Sequence, residues 1–242
     1  MKQSKLYFLC ITILVIITTL QSCEDYLPGI SGEGDIEENL IYLEDFDKIT
    51  NATNAEIILT QGDSQEVKVR AQKNILDNLN LDIRNGKLTI EHDKMVRDSK
   101  DITIYITIPD IEKIHISGSG DLSTIDSFND LRKLEIEVSG SGDINFKGNN
   151  RDLEILSSGS GDIELSGETE TLDLKISGSG STYAFSLDTG KAEIKITGSG
   201  SAKVKVEDYL NATISGSGDV YYRGNPETES HITGSGRLID DN

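Results

Sequence analysis

The stretch Ser117-Gly-Ser-Gly-Asp121 decides the fold, because six further copies of this Gly-Ser-Gly phrase follow it in the chain. The copies begin at Ser139, Ser158, Ser177, Thr197, Ser215 and Thr233. Successive starts are 22, 19, 19, 20, 18 and 18 residues apart, so a structural unit recurs about every 19 residues. Units of a repeat protein bury their apolar faces against their neighbours, and the sequence therefore predicts a stacked, elongated body.

Apolar residues alternate with polar ones on both sides of each phrase. Ile163 and Leu165 follow the third phrase, and Leu174 and Ile176 precede the fourth. This period of two predicts two strands of about five residues per unit, joined by the phrase and by a polar turn such as 148–151. A meander could contain the same turns, but one identical turn per unit favours stacked coils with rungs about 4.8 Å apart. The predicted fold is an all-β, two-sheeted parallel β-solenoid, or β-helix-like stack, with coils of about 19 residues.

Two local features complete the predicted fold. Glycines on both sides of a serine permit positive φ angles, so we expect each phrase to form a tight reversal between strands. The N-terminal half, residues 40–116, has no phrase and contains longer alternating runs, such as 101–109. Asn85-Gly86 predicts a type I′ hairpin, and 74–79 suggests a short helical turn. We expect this longer-stranded half to cover one end of the repeat half, residues 117–242, within a single domain of residues 40–242.

The N-terminus has the features of a secretory signal, residues 1–22. Two lysines precede an apolar stretch of 15 residues, which is shorter than the ~20 residues that a membrane helix needs. Leu20-Gln-Ser-Cys23 resembles the lipobox of bacterial lipoproteins, in which the cysteine becomes the lipidated first residue. The sequence therefore predicts lipidation of Cys23, anchoring in the outer membrane, and an acidic tether over residues 23–39. An ordinary signal peptide with an incidental cysteine is the alternative.

Composition limits the classes of ligand. The formal net charge is −19, and such a chain repels polyanions, which argues against nucleic acid and anionic polysaccharide as partners. The chain has no Trp, five Phe and 8 Tyr, so it contains few of the aromatic side chains on which sugars stack. These counts weaken carbohydrate binding without excluding it.

Residues for catalysis are sparse. His92, His115 and His231 each lie beside or within an alternating segment, and none has a second histidine or a cysteine at a metal-ligand spacing. The phrases run Ser-Gly-Ser-Gly and do not form the Gly-x-Ser-x-Gly elbow of hydrolases, so we expect their serines in turns without a nearby histidine. The sequence predicts no catalytic residue and no cofactor.

Aspartates that end the phrases form one constellation. Asp121, Asp143 and Asp162 would stack in a column about 5 Å apart, which resumes at Asp219. Aspartate after glycine commonly accepts hydrogen bonds from its own turn, so we expect a structural role and assign no metal site. A weak calcium ladder is the alternative, because Ca²⁺ prefers oxygen ligands, although the chain lacks the nine-residue period of calcium-binding β-rolls.

The order of these features resembles a known family. A lipoprotein signal is followed by GKLTIEH (86–92), ITIYITIPDIEKIHISGSGD (102–121) and the serial phrases. Over about residues 40–235 the chain is similar to the putative autotransporter adhesin, head GIN domain family of secreted Gram-negative proteins. The resemblance implies a β-solenoid like the pectin-lyase architecture without its catalytic residues, and an adhesive role. It transfers no functional residues.

Three functional classes follow from the sequence. We favour a non-enzymatic, membrane-anchored cell-envelope protein that displays a repetitive surface to an extracellular or envelope protein, to a glycan, or to its own copies. A polysaccharide-active β-helix enzyme is the second class. It would need clustered acids, or an Arg or Lys base, on one face, whereas the one Asp-Asp pair, Asp240 and Asp241, lies in the tail. The third class is a calcium- or small-ligand-binding envelope module, which the aspartate column alone suggests.

Overall fold

The computed structural model describes residues 29–242, so the signal, Cys23 and residues 24–28 lie outside it. The described chain is nearly all β, with one four-residue helix, α1 (Lys73–Leu76), where a helical turn was expected. No helix within this range is long and apolar enough to cross a membrane. The strands are β1 (Ile30–Ser31), β2 (Ile36–Ile41), β3 (Lys48–Asn51), β4 (Glu56–Gln61), β5 (Glu66–Gln72), β6 (Leu79–Arg84), β7 (Lys87–His92), β8 (Val96–Asp98), β9 (Thr103–Ile108), β10 (Lys113–Ile116), β11 (Leu122–Thr124), β12 (Phe128–Val138), β13 (Ile144–Ser157), β14 (Ile163–Ile176), β15 (Thr182–Ile196), β16 (Ala202–Ile214), β17 (Val220–Arg223), β18 (Glu227–Ile232) and β19 (Leu238–Asp240).

Parallel pairing stacks the repeats into a β-solenoid of about 7 turns, as the sequence predicts. Ile144 pairs with Ile163, and Ile163 pairs with Thr182 in the next rung. Two ladders run along the stack. Ladder A contains the segments that follow each phrase, and ladder B contains the segments that precede each phrase. Alternate side chains of both ladders point inward, and Ile155, Leu174 and similar residues are fully buried.

Each rung is built from a longer strand than the sequence suggests. The turn expected at 148–151 lies inside β13, where Gly148 pairs with Gly167 and Asn150 with Thr169 of β14. Backbone groups of the turn therefore bond to the neighbouring rung, and the chain bends without leaving the ladder. Strands β13–β16 span 13 to 15 residues, whereas β1–β10 span 2 to 7, so the expectation of longer strands in the N-terminal half is wrong.

Rungs differ in their number of residues, and the extra residues lie outside the Gly-Ser-Gly phrases. The ladder shifts register between Phe128 and Leu131 in β12, and between Ala184 and Asp188 in β15. Asp130, beside the first shift, has a φ of 61°, a conformation that non-glycine residues seldom adopt. The phrases stay aligned because the extra residues leave the ladder at these irregular positions.

The N-terminal half covers one end of the stack, as expected. Strand β3 pairs in parallel with β7 and β10, and β4 pairs in parallel with β9 and β11. Residues 48–61 therefore form a rung between 87–108 and 113–124. Beyond that rung the pairing becomes antiparallel, with β5 on β9 and β6 on β7. The β6–β7 hairpin turns at Asn85 and Gly86, with φ of 54° and 70°, so this predicted turn is confirmed.

Part of the segment expected to be a tether is structured. Strand β1 pairs in parallel with β8, and β2 pairs antiparallel with β5 over Ile36–Ile41. The expectation of a tether is therefore wrong for residues 30–31 and 36–39, because residues 36–39 extend the large sheet along β5 and residues 30–31 form a separate two-stranded sheet with β8. The division at residue 40 and the single domain of residues 40–242 stay predictions.

Side chains replace the phrase in the rung of β3 and β4. The amide Nδ2 of Asn51 donates to the carbonyl oxygen of Ala55 at 2.8 Å, and Thr53 Oγ1 donates to Asn51 Oδ1 at 2.7 Å. Both polar residues are buried. The first phrase stacks on this corner, since the Ser117 N–H donates to the Asn51 carbonyl at 2.9 Å.

Phrase glycines are required by close approach between rungs. Among the phrase glycines of the described chain, only Gly234 has a φ in the left-handed region, at 132°. The Ser160 N–H donates to the Gly140 carbonyl at 3.0 Å, and a Cβ added to Gly159 would overlap that same carbonyl oxygen. The expectation that the phrase needs positive φ is therefore wrong, because the close contact comes from stacking.

We predict that Gly159→Ala destabilises the fold by about 1–3 kcal/mol or more, since the added methyl group must displace the backbone of the preceding rung. Urea denaturation measures the free energy of unfolding. The control is Ser160→Ala at the adjacent, exposed position, which should change it by less than about 0.5 kcal/mol. Equal shifts for the two variants would contradict the steric account.

Candidate binding surface

The predicted aspartate column exists and carries backbone hydrogen bonds. The Asp143 N–H donates to Asp121 Oδ1 at 2.8 Å, and the Asp162 N–H donates to Asp143 Oδ1 at 2.7 Å. Asp162 Oδ1 accepts the Ser181 N–H at 2.7 Å. Each carboxylate thus accepts from the next rung and not from its own turn, because in-register stacking places that N–H beside it. The calcium alternative stays a prediction, and residues 29–242 contain no group of three His, Cys, Asp or Glu side chains placed to hold a metal ion.

We predict that Asp143→Asn keeps most of the stability, because an amide oxygen can accept the same hydrogen bond, whereas Asp143→Ala lowers it by about 1 kcal/mol. Thermal melts of the two variants measure this difference. Melts with and without Ca²⁺ test the ladder. Calcium-dependent stabilisation of the wild type that Asp143→Asn removes would show that the column binds the cation.

The column resumes at Asp219, which has a denser set of partners. Arg237 donates to Asp219 through Nη2 at 2.7 Å and through its backbone N–H at 2.9 Å, and Tyr221 Oη donates at 3.3 Å. The hydrogen bond from the Arg237 side chain is the main cause that lowers the pKa of Asp219, and the positive charge of Arg237 adds to it. The carboxylate is therefore favoured in the folded state.

The pKa of Asp219 is lower in the folded chain than in the unfolded chain, where it has the ordinary value of about 3.9. Ionised Asp219 therefore stabilises the fold at pH values above about 3.9, and this contribution is lost as the pH falls through the pKa of the folded state. We predict that Asp219→Asn destabilises the chain by about 1 kcal/mol at pH 7, and that the difference disappears in acid. Urea denaturation at pH 7, 5 and 3 follows the change. Exposed Asp126 provides the control, Asp126→Asn, which should show no such trend. A constant difference at all three pH values would contradict the linkage.

One histidine contacts a phrase serine, contrary to expectation. His115 Nε2 lies 2.9 Å from Ser139 Oγ and 3.8 Å from Glu137 Oε1, because consecutive rungs stack β10 on β12. Serine and glutamate share one ring nitrogen, whereas a catalytic triad uses opposite nitrogens, so this geometry does not form the relay that activates a serine. Burial lowers the pKa of His115 and of His92. His231 is exposed on β18.

Ladder B carries an outward row of carboxylates that the sequence analysis missed. The row consists of Glu135, Glu154, Asp173 and Glu193, which pair in successive rungs. Lysines neutralise part of it, since Lys113 Nζ lies 2.7 Å from Glu135 and Lys175 Nζ lies 2.8 Å from Asp173. These contacts raise the pKa of both lysines, chiefly through hydrogen bonds to the carboxylates. The row therefore functions as a solvated ion-pair network.

Ladder A carries a different surface near its C-terminal end, which we call the aromatic–basic patch: Tyr183, Phe185, Lys203, Tyr221 and Arg223. Tyr183 pairs with Lys203, and Lys203 pairs with Tyr221. Lys203 Nζ lies 5.3 Å from the ring centroid of Tyr183 and 5.9 Å from that of Tyr221. Arg223 Cζ lies 4.1 Å from the centroid of Phe185. These distances are those of cation–π contacts.

The patch lines a concavity of about 600 Å³. Ser181 and Ser201 contribute hydroxyl groups to its wall, and Asp241 contributes a carboxylate. Arg223 Nη2 is paired with Asp241 at 2.8 Å. Lys203 has no ion-pair partner within residues 29–242, so its ammonium is the uncompensated charge of the concavity.

Aligning the chain on its phrases would have located this patch. Tyr183, Lys203 and Tyr221 each follow the last residue of a phrase by two positions, so a fixed register places them in one column. Aspartates at the phrase ends are easier to see in the sequence, because they belong to the repeated phrase itself. Counting aromatic residues over the whole chain concealed their concentration at one place.

Comparison with known proteins supports the fold and identifies the family. A crystal structure from Bacteroides fragilis, described as a putative adhesin, is 24% identical, with a TM-score of 0.78 and 87% of this chain and 99% of that chain covered. One from Parabacteroides distasonis, described as a putative lipid binding protein, is 26% identical, with a TM-score of 0.71 and the same coverage. A putative adhesin from Parabacteroides merdae is 22% identical, with a TM-score of 0.66 and 88% and 100% covered. No curated protein sequence matches the chain.

The family profile described as "Putative auto-transporter adhesin, head GIN domain" matches residues 45–226, which is most of the chain. An adhesin-like family indicates a protein of the cell surface or envelope. By this match the chain belongs to the family described as "Putative auto-transporter adhesin, head GIN domain".

Proposed function

We propose that this chain is a non-enzymatic, lipid-anchored protein of the cell envelope that mediates adhesion through the outer surface of its solenoid. Membership of an adhesin-like family supports the envelope location and the adhesive role. The proposed partners are the membrane, through the anchor, and an extracellular or envelope protein or glycan. Association with other copies of the chain is a further proposed contact.

The aromatic–basic patch is the observation that carries this proposal. Tyr183 is 40% exposed although its ring is large and amphipathic. Tyrosine and arginine are enriched among the residues that dominate binding energy at interfaces. In a chain with a net charge of −19, a cluster of aromatic and basic side chains also differs from the rest of the surface. A surface of this kind is suited to holding a partner.

Solenoid geometry supports display as the mode of action. Successive rungs place outward side chains in columns along a continuous sheet, as Tyr183, Lys203 and Tyr221 show. An enzyme site instead needs unlike groups that converge on one reacting atom. The contact of His115 with Ser139 and Glu137 does not have that arrangement.

The anchor is proposed from the lipobox-like sequence that ends at Cys23. Lipidation there would hold the solenoid at the outer membrane. The strands of the covered end, β2, β5 and β6, are nearest to Cys23 in the sequence. The C-terminal rungs that carry the aromatic–basic patch lie at the other end of the stack. This order would present the patch away from the lipid.

We predict that Cys23→Ala releases the chain from the membrane fraction of the producing cells and lowers retention of those cells on mucin-coated and matrix-coated surfaces under flow. The physical reason is the loss of the site that carries the lipid. Cell fractionation and counts of retained cells measure the two effects. Cys10→Ala is the matched control, because Cys10 lies inside the signal and should not alter either result.

Two outcomes would contradict the proposal. If the Cys23→Ala variant stays in the membrane fraction, the proposed lipid anchor is rejected. If wild-type cells are retained no better than cells that lack the chain, the proposed adhesive role is rejected.

A further inference from the structure

We propose that the aromatic–basic patch binds a glycan that carries an acidic sugar unit, whose rings stack on Tyr183 and Tyr221 and whose carboxylate bonds to Lys203. The inference rests on the proposed adhesive role and names the class of ligand that this surface takes. It does not concern the aspartate column or the carboxylate row of ladder B.

The two tyrosine rings form a preorganised platform. Tyr183 and Tyr221 lie on either side of Lys203 in the column, so their backbones are separated by two rungs, or about 10 Å. Both strands are held by parallel pairing, and a tyrosine side chain has few rotatable bonds. Binding therefore costs little ordering of the protein, and two rings of an extended sugar chain can contact the two tyrosines.

Charge complementarity selects an acidic sugar. Lys203 Nζ lies between the tyrosine rings and has no ion-pair partner in the described chain. The neighbouring cations are already neutralised, since Arg223 pairs with Asp241 and Arg237 pairs with Asp219. One ammonium group is left to donate charge-assisted hydrogen bonds to one carboxylate. A single acidic unit fits this site, whereas a polyanion would meet the repulsion of a chain with a net charge of −19.

The phrase sequence changes at two of the three rungs that carry the patch, whereas Asp219 ends the phrase before Tyr221. The last residue of the phrase is aspartate at 121, 143 and 162, but it is serine at 181 and 201, and both serines line the concavity. Aspartates at these two positions would place negative charges beside Lys203. The serines remove that charge and leave hydroxyl groups that can donate to and accept from sugar hydroxyls.

The lining favours a sugar over an acyl chain. Phe185 is the one lining residue whose side chain is wholly apolar, and the Arg223 guanidinium covers its ring. A lipid tail would need a mostly apolar wall. Since the Parabacteroides distasonis relative is described as a putative lipid binding protein, binding to a lipid surface is included as an outcome of the test.

The test uses the full chain purified from the producing cells and two probes that differ in one group. The first is an oligosaccharide that ends in glucuronic acid, and the second is its carboxyl-reduced counterpart. Isothermal titration should give a dissociation constant for the acidic probe that is lower by roughly tenfold or more. Lys203→Gln should abolish this difference, and Tyr183→Ala or Tyr221→Ala should weaken binding of both probes.

Matched controls keep the test specific to the patch. Lys195→Gln removes an exposed lysine from ladder B, and Tyr42→Ala removes a tyrosine that is 89% exposed between β2 and β3. Both variants should bind as the wild type does, and thermal melts should show that every variant is folded. The proposal is overturned by equal affinity of the wild type for the two probes, by absence of binding to either, by a Lys203→Gln variant that still discriminates, or by binding confined to phosphatidylglycerol vesicles.

Failure of this inference can be distinguished from failure of the proposed function. Cells that carry Lys203→Gln together with Tyr221→Ala are compared with wild-type cells in the flow assay. If the variant cells are retained as well as wild-type cells, the proposed adhesive role stands and the patch is rejected as its ligand site. If the pure chain binds the acidic probe more tightly than the reduced one but wild-type cells are not retained, the proposed glycan site stands and the adhesive role is rejected.

Discussion

Contact between stacked phrases is the constraint on which the rest of the structure depends. The Ser160 N–H donates to the Gly140 carbonyl, and the Cα of Gly159 lies against that oxygen with no room for a side chain. A wider separation would break the backbone ladder that β13–β16 share around each turn of the solenoid. Because the phrase fixes one corner of every rung, the side chains that follow it start at equivalent positions, and this produces columns.

Because equivalent residues of successive rungs form columns, a position where the residue type changes along a column points to a local function. The aspartates at 121, 143 and 162 accept hydrogen bonds from successive backbones and so take part in holding the stack. In ladder B, Lys175 contacts both Glu154 and Asp173, but solvated ion pairs of this kind contribute little to stability. The column changes where Ser181 and Ser201 replace aspartate and where aromatic and basic side chains appear beside them. Within residues 29–242 the repeated scaffold therefore carries a local surface whose chemistry differs from that of the repeated columns.

The period of about 19 residues and the Asn85-Gly86 turn were enough to predict the parallel solenoid and the β6–β7 hairpin, because both depend on residues near in sequence. The rung of β3 and β4 could not be predicted, since the side chains of Asn51 and Thr53 form its corner without the phrase. Likewise, the contact of His115 with Ser139 depends on which residues meet across rungs. The candidate aspartates were placed correctly in a column, but the aromatic–basic patch required the rungs to be compared position by position.

The register shifts in β12 and β15 bear on how such a chain can change in length during evolution. Extra residues are accommodated between Phe128 and Leu131 and between Ala184 and Asp188, while the phrases remain aligned. Duplication of one complete unit would lengthen the solenoid by about 4.8 Å and leave the covered end intact. Duplication of a fragment with an odd number of ladder residues would turn apolar side chains outward. A chain of this kind can therefore change the length of its solenoid in steps of one rung, without altering the side chains of the C-terminal rungs.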